Sequence, residues 1–477
     1  MTCTSSELQN VFYPVAYHSS VPPTYLSVDD TDSLDGMCTT YLATLLVEDL
    51  SDYDLIGLPR LVRLNPNVPW KTRGNAAVSL AFGFGKGRRY RVGEIAGEAV
   101  HAFERGSPAQ EDDIYERADA IVSKNAHFAC ENTNPGFVIS KKQPAAALYW
   151  KTVREIVPIA LAEEEVAAVG GIARKFKNGR GIIGASAAMA WRPRDMTFEV
   201  LSYRMPGNIG KRRKVDRDSV EKMDRAFPST FHNIDPHTGH VAIAPGSPCP
   251  ILFGIRGDDP MDLIRARSRI ISEPADRWLL FLTNQATDDH LQRMKITEVK
   301  PRLGVILHGA VSQRATIIVG GHVFFKISDS SGEITCAVYE PSGAMRNTAR
   351  ELREGDKVEI FGSAREEPFE INVEKLHVTV LDSAGIKVEN PKCPECRKHM
   401  KSTGRETGYR CRKCGTRAPL SAARRIRRDS PALGWYEPPV ASRRHLYKPL
   451  KRFGIERRNL RELLNRYLSD EASSSQR

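Results

Sequence analysis

The sequence predicts a multidomain α+β protein: an α/β domain, an α+β module, an OB-fold β-barrel, and a zinc ribbon followed by a basic, helical tail. Three observations lead there. The chain has 477 residues, enough for about three to four domains that each bury a core. Cys393-x2-Cys396 and Cys411-x2-Cys414, with fourteen residues between the pairs, have the spacing of a four-thiolate zinc site. After Pro301 the pattern changes to short runs rich in β-branched and aromatic residues, which marks a small all-β unit.

The elements follow in order. Residues 25–28 read as a strand, followed by the acidic loop Asp29-Asp30-Thr31-Asp32-Ser33 and a helix from about Thr39 whose buried stripe is Leu42, Leu45, Leu46 and Leu50. Strand and helix signals alternate from there, giving an α/β domain over 21–140. Residues 141–285 mix helices near 163–169 with strands at 198–203 and 251–255, an α+β module. Over 300–385, runs at 316–319, 322–328, 333–339, 357–362 and 369–381 make the five strands of the barrel. Val323, Phe325 and Ile327 alternate with Phe324 and Lys326, so one face is core and the other offers Phe324 for base stacking or to cover an apolar patch. The ribbon occupies 390–420 and the tail 421–477.

Composition excludes several classes. With 41% hydrophobic and 27% charged residues, and no apolar run approaching the roughly 18 residues of a membrane span, a soluble protein is expected. Residues 1–20 lack the basic start and apolar stretch of a secretion signal and read as a disordered extension. Cys3, Cys38, Cys130, Cys249 and Cys336 are scattered and odd in number, which fits a reducing cytoplasm. Net charge is +12, and residues 421–477 hold fourteen Lys or Arg against six Asp or Glu. There Arg424, Arg425, Arg427, Arg428, Arg443, Arg444, Lys448, Lys451 and Arg452 are interleaved with Trp435, Tyr436 and Tyr447. That pattern suits phosphate neutralisation beside stacking rings, an RNA contact; a solvated basic face has the same composition.

The acidic loop carries the chemistry. Asp29, Asp30 and Asp32 repel one another unless a cation holds them, and Mg2+ binds through one or two carboxylates plus the phosphate oxygens of ATP. Gly36 to Thr40 then opens a helix whose free N–H groups suit phosphate. Acidic loops before helices are equally common as caps. In residues 60–75, Lys71 and Arg73 can stabilise phosphoryl charge and Asn75 can orient a nucleotide hydroxyl, unless this is a plain surface loop. Gly83-Phe84-Gly85-Lys86-Gly87 lacks the Lys-Ser/Thr pair of a P-loop. The small residues of 179–186 permit close approach of a ligand or of another helix. A cationic amine substrate would seek carboxylates such as Asp235 or Asp258.

The motifs Asp29-Asp30-Thr31-Asp32-Ser33, Gly36-Met37-Cys38-Thr39-Thr40-Tyr41-Leu42, the run from Arg63 through Arg73-Gly74-Asn75, Asn132-Thr133-Asn134-Pro135-Gly136 and Gly434-Trp435-Tyr436-Glu437-Pro438-Pro439 resemble those of the archaeal tRNA 2-agmatinylcytidine synthetases. The resemblance runs over nearly the whole chain after residue 20. It implies a kinase-like domain, a ferredoxin-like domain, an OB-fold and a zinc ribbon in that order. It also implies joining of agmatine to the wobble cytidine of the minor isoleucine tRNA, with ATP cleaved to AMP and pyrophosphate after phosphate activation of the cytosine carbonyl oxygen. Asp29, Asp30 and Asp32 would then hold Mg-ATP, Thr39 would match the family's threonine, Arg73 and Asn75 would belong to the same pocket, and the barrel, ribbon and tail would grip tRNA far from the anticodon. The rival classes are a non-catalytic RNA-binding protein, in which the acidic loop only caps a helix, and a two-metal nuclease, which would cut RNA without ATP.

Overall fold

The computed structural model describes residues 22–465 except 237, 383–385, 405–406, 427, 429, 461 and 464. The expected extension at 1–20 and Arg427 therefore lie outside the described residues. The order from the amino end is β1 (Thr24–Asp29), α1 (Thr39–Asp49), β2 (Asp54–Ile56), β3 (Arg60–Arg63), β4 (Ala76–Ile95), β5 (Glu98–Pro108), α2 (Glu111–Asn125) and β6 (Gly136–Ser140). It continues α3 (Ala146–Arg154), α4 (Ile159–Ala168), β7 (Ile172–Lys175), α5 (Gly181–Ala190), β8 (Thr197–Arg204), α6 (Arg217–Ala226), β9 (Thr230–Phe231), β10 (Ile251–Gly257), α7 (Pro260–Arg269) and β11 (Ala275–Thr283).

These strands form one 11-stranded sheet in the order β7-β6-β1-β4-β3-β11-β8-β10-β9, with β2 and β5 attached beside β4. The two modules expected to bury separate cores are joined: β4 pairs with β11 at Gly93 and Leu279, and β3 with β11 at Arg60 and Leu282. One apolar core runs from Leu26 to Leu282, because a strand edge of each half is satisfied by the other. β1 lies between β4 and β6, and its carboxyl end delivers Asp29 to the acidic loop. On α1, Leu42, Leu46 and Leu50 are buried, as the leucine stripe predicts, while Leu45 is half-buried.

The second body contains β12 (Leu291–Arg293), β13 (Gly304–Ile317), β14 (Val323–Ser328), β15 (Glu333–Val338), α8 (Ala344–Glu351), β16 (Lys357–Ala364) and β17 (Ile371–Val380). β13 pairs with β14 and β16, β15 with β14 and β17, and β16 with β17. The run expected at 316–319 is only the far end of β13, whose first half is a strand because β16 pairs with it from Gly304 to Ala310. Val323, Phe325 and Ile327 are buried in this body's own core, whereas Phe324 turns outward against Tyr339, ring centroids 6.0 Å apart.

The ribbon follows: β18 (Ile386–Glu389), then β19 (Lys401–Ser402), β20 (Tyr409–Arg410) and β21 (Arg417–Ala418) as a three-stranded sheet, with β22 (Arg424–Ile426) returning to β18. The tail corrects the expectation of helix. It holds β23 (Gly434–Tyr436), which extends β17, and single 3-10 turns at Val440–Ser442 and Leu450–Arg452, with helical backbone among the described residues only from Leu460. Pro431, Pro438, Pro439 and Pro449 explain this, since each removes a donor and clashes with a preceding turn. Beyond Tyr436 the tail crosses back onto the first body. Among the described residues no helix is long and apolar enough to cross a membrane.

Candidate active site

The acidic loop separates a cleft of about 360 Å³ from a recess of about 80 Å³. Asp32 and Thr39 line the cleft; Asp29, Asp30 and Asn75 line the recess. Asp32 performs the capping that such loops offer: its Oδ1 accepts from the Thr39 backbone N at 2.7 Å and from the Thr39 hydroxyl at 3.2 Å. The first N–H of α1 is therefore taken by a side chain rather than left for phosphate. The Thr39 hydroxyl also accepts from Thr31 at 3.0 Å. The Thr39 hydroxyl is thus fixed between a carboxylate and a second hydroxyl at the cleft wall.

Asp29 and Asp30 sit differently. The Asp29 carboxylate lies over α5, where a Cβ built on Gly184 would fall 1.8 Å from Oδ2. Burial pushes the Asp29 carboxyl well up, and the adjacent Asp30 adds to the shift. Asp30 is pushed up to about 7 by burial, which the nearby Arg180 opposes. Its backbone is left-handed, φ 57°, a conformation that aspartate tolerates better than most residues. Two desolvated carboxyls side by side in a recess suit a hard cation that also takes phosphate oxygens. Among the described residues, only the four ribbon cysteines bring three or more ligand atoms within 4.8 Å of one another, so the three aspartates do not converge as one ligand set.

Arg73 lines the cleft while Asn75 lines the recess, so the two do not share one pocket; the Arg73 donors are taken up in closing the acidic loop, with Nε meeting Asp32 Oδ2 at 3.3 Å, Nη1 donating to Ser33 O at 3.0 Å, and Nη2 donating to Met37 O. Asn75 Nδ2 donates to Asn65 O at 3.1 Å, and Leu64 N donates to Asn75 O at 3.0 Å. Residues 64–75 are thus an excursion pinned at its base. Lys71 folds back onto Val68 O at 3.0 Å. The small residues of 179–186 begin α5; Gly181 and Gly184 allow Asp29 and Gly136 to approach its backbone.

Sequence reasoning missed the other side of the cleft. Glu199, on β8 and 1% exposed, holds Arg256 of β10 at 2.8 Å and Arg63 of β3 at 3.7 Å, and accepts from Gln285, which meets His445 Nδ1 at 3.0 Å. The available signal was a glutamate between Phe198 and Val200, in a run of apolar residues that reads as a buried strand. Asp235 and Asp258 hold the tail instead of facing the cleft: Asp235 accepts from Val440 N at 3.0 Å, and Asp258 pairs with Arg452 at 2.9 Å.

The residues expected to grip RNA divide into four sets. Arg424 and Arg425 are exposed on β22, and Phe324 is half-exposed on the second body. Trp435 is stacked on His377, centroids 4.1 Å apart and planes 5° from parallel. Arg428 is buried against Asp356, and Arg444 is held by Asn67 at 2.6 Å and Ser363 at 2.8 Å; both therefore join elements of the fold. Arg443 lines the cleft.

In the ribbon, sulfur separations are 3.3 Å for Cys393 and Cys414, 3.2 Å for Cys396 and Cys411, and 3.6 Å for Cys396 and Cys414. Four sulfurs about 2.3 Å from one zinc stand about 3.8 Å apart, so the set fits that ion. Arg397 and Gly415, left-handed at φ 57° and 81°, turn the chain after each second cysteine.

Comparison with known proteins agrees with this arrangement. Family models match at residues 25–178 (TiaS TCKD domain), 179–290 (TiaS FLD domain), 305–380 (OB-fold nucleic acid binding domain) and 390–429 (TiaS C-terminal zinc ribbon domain). The isoleucine-tRNA 2-agmatinylcytidine synthetase TiaS of Methanocaldococcus jannaschii is 38% identical, covering 90% of this chain and 98% of its own. That of Methanosarcina acetivorans is 39% identical, covering 90% and 97%. A crystal structure of TiaS in complex with its isoleucine tRNA and ATP matches with TM-score 0.76 at 36% identity, over 90% of this chain and 97% of that one. A complex of TiaS with the same tRNA, AMPCPP and agmatine matches with TM-score 0.73 at 33% identity, over 92% and 99%. With similarity of this extent across both bodies and the ribbon, the chain belongs to the isoleucine-tRNA 2-agmatinylcytidine synthetase family.

Proposed function

We propose that this protein joins agmatine to the wobble cytidine of the minor isoleucine tRNA in an ATP-dependent ligation that releases AMP and pyrophosphate, so that AUA codons are read. The observation that carries the reading is the acidic loop, which stands between a cleft and a recess on a chain matched almost end to end by relatives named for this activity. Asp29 and Asp30 hold Mg2+ and the nucleotide phosphates in the recess, with Asn75 beside them. The metal, when bound, neutralises phosphate charge. Asp32 fixes Thr39 at the cleft wall, and Arg73 keeps that loop in shape. The carbonyl oxygen of cytosine, activated by a phosphoryl group from ATP, leaves carrying that group when the amine of agmatine attacks the carbonyl carbon and gives up a proton.

On this reading residues 21–140 form the kinase-like domain and 141–285 the ferredoxin-like domain, sharing one sheet. Residues 300–385 close as an OB barrel, supported by the pairing of β13 with both β14 and β16. The barrel, the zinc-bound ribbon at 390–420 and the exposed Arg424, Arg425 and Phe324 carry the tRNA, with the tail from 421 tying them to the body, and the protein works in the cytoplasm. Unmodified isoleucine tRNA, ATP and labelled agmatine test it: label should enter the RNA with stoichiometric AMP. A competent transcript that stays unlabelled rules the reading out.

A further inference from the structure

One wall of the cleft comes from neither the acidic loop nor the sheet. Val440, Ala441, Arg443 and His445, from the chain that follows the ribbon, line it together with Glu199 and Arg256. This strap is seated on both sides of Arg443. Val440 N donates to Asp235 at 3.0 Å and Lys448 N to Asp288 at 2.8 Å, while Ala286 N donates to His445 O at 2.9 Å. Downstream, Arg452 is fully buried between Asp195 and Asp258.

Arg443 is itself held in place. Its Nε donates to Pro438 O at 2.9 Å, its Nη2 meets Glu437 at 2.9 Å, and its guanidinium lies 5.3 Å from the Tyr447 ring. Its Nη1 has no partner among the described residues. Arg256 is anchored through Nε to Glu199 at 2.8 Å, and neither of its amino groups has a hydrogen-bond partner among the described residues. His232 lines the same cleft with a left-handed backbone, φ 59°, and an Nε2 without a partner. Such strain gathers where a side chain is held for a purpose. Arg73, in contrast, has every nitrogen occupied by the acidic loop and the residues just after it.

We propose that Arg443 of the strap and Arg256 of β10 form a phosphate seat in the cleft, and that Arg443 is a catalytic residue touching a phosphate ester of the bound substrates. Pre-aimed guanidinium donors in a partly buried site are suited to phosphate oxygens. The ester belongs either to the end of the ATP triphosphate that extends past the acidic loop from the recess into the cleft or to the RNA backbone at the modified nucleotide. The inference rests on the cleft being the reaction site. It assigns to Arg443 work in the cleft in place of the distal RNA grip that its arginine-rich sequence implies.

Arg443→Ala and Arg443→Lys in the full chain test it by labelled-agmatine incorporation, with the melting midpoint measured alongside. Arg443→Ala should lose about 100-fold in turnover, regain part of it with added guanidinium ion, and melt near the unsubstituted protein; Arg443→Lys should fall between. A raised KM for ATP assigns the ester to the triphosphate and a raised KM for tRNA to the backbone, either of which supports the seat. Turnover within about threefold of the unsubstituted protein, or a loss that guanidinium cannot restore and a lowered midpoint accompanies, overturns it. Asp32→Asn separates the two claims: an inert Asp32→Asn beside a fully active Arg443→Ala discards the seat and keeps the cleft, whereas an active Asp32→Asn discards the cleft.

Discussion

Asp30 combines a left-handed backbone with a carboxyl that burial pushes up to about 7, against the opposing charge of Arg180. Asparagine keeps the left-handed conformation and removes the charge. Asp30→Asn should therefore cost at least about 100-fold in agmatine incorporation and leave the tRNA dissociation constant nearly unchanged; parallel loss of both would refute the division between recess and RNA-binding body. Asp289 offers a second residue-level test. It is pushed up to about 6 by burial, although the Tyr149 hydroxyl donates to it at 2.6 Å. Its folded value lies above the unfolded one, so its charged form costs stability fully above about pH 6, and that cost fades as the pH falls toward the ordinary carboxylate range. Asp289→Asn should be more stable than the unsubstituted protein by about 3 kcal/mol at pH 7.5, with the gap closing by pH 4. Denaturant melts at both pH values measure it, and a gap that does not shrink with acid excludes the titration.

Helix α5 shows how an element is fitted to the site. Alanine ordinarily improves a helix by up to about 1 kcal/mol over glycine, but at Gly184 the added carbon would meet the Asp29 carboxylate at 1.8 Å. Gly184→Ala should raise the KM for ATP about tenfold or more while helix content by circular dichroism is unchanged; an unaltered KM would separate Asp29 from the nucleotide. The sequence made the acidic loop, the α1 stripe and the four cysteines legible because their spacing is local and survives without tertiary information. The small residues of 179–186 were legible as close packing but not as the platform under Asp29. The Glu199 and Arg256 pair spans 57 positions, and the Gln285 and His445 contact 160; no local pattern announces either. The tail misled for a related reason. Arginine density reads the same whether a guanidinium is exposed at the surface, as Arg424 is beside Glu389, or faces a buried carboxylate, as Arg428 and Arg452 do.

At the scale of the molecule, the ribbon is a detachable unit and the strap is not. Elemental analysis should find one zinc per chain, and chelation should expose residues 390–429 to protease while the main melting transition persists; a single collapse of both would make the ribbon part of the main core. The strap is locked at two points. Lys375 of β17, fully buried, reaches Asp288 and lies 4.5 Å from the Tyr447 ring centroid and 5.3 Å from that of Phe453. Arg452 stands between Asp195 and Asp258 at 3.0 and 2.9 Å. The two carboxylates respond differently: Asp195, with Lys448 and the Arg457 N–H as additional donors, is held low despite burial, whereas Asp258 is raised by burial that Arg452 only partly offsets. Arg452→Met retains the bulk and strands the Asp258 charge, while Asp195 keeps Lys448 and the Arg457 N–H; this should cost about 3–5 kcal/mol and free residues 437–452 for proteolysis. Adding Asp258→Asn removes the stranded charge and should restore most of that stability, because a buried ion pair and a neutral packed one differ little in net energy. Agmatine incorporation should return with it only as far as the strap returns to the cleft, so a double variant that melts normally yet resists proteolysis poorly would show that the charges, and not the packing, hold the wall shut.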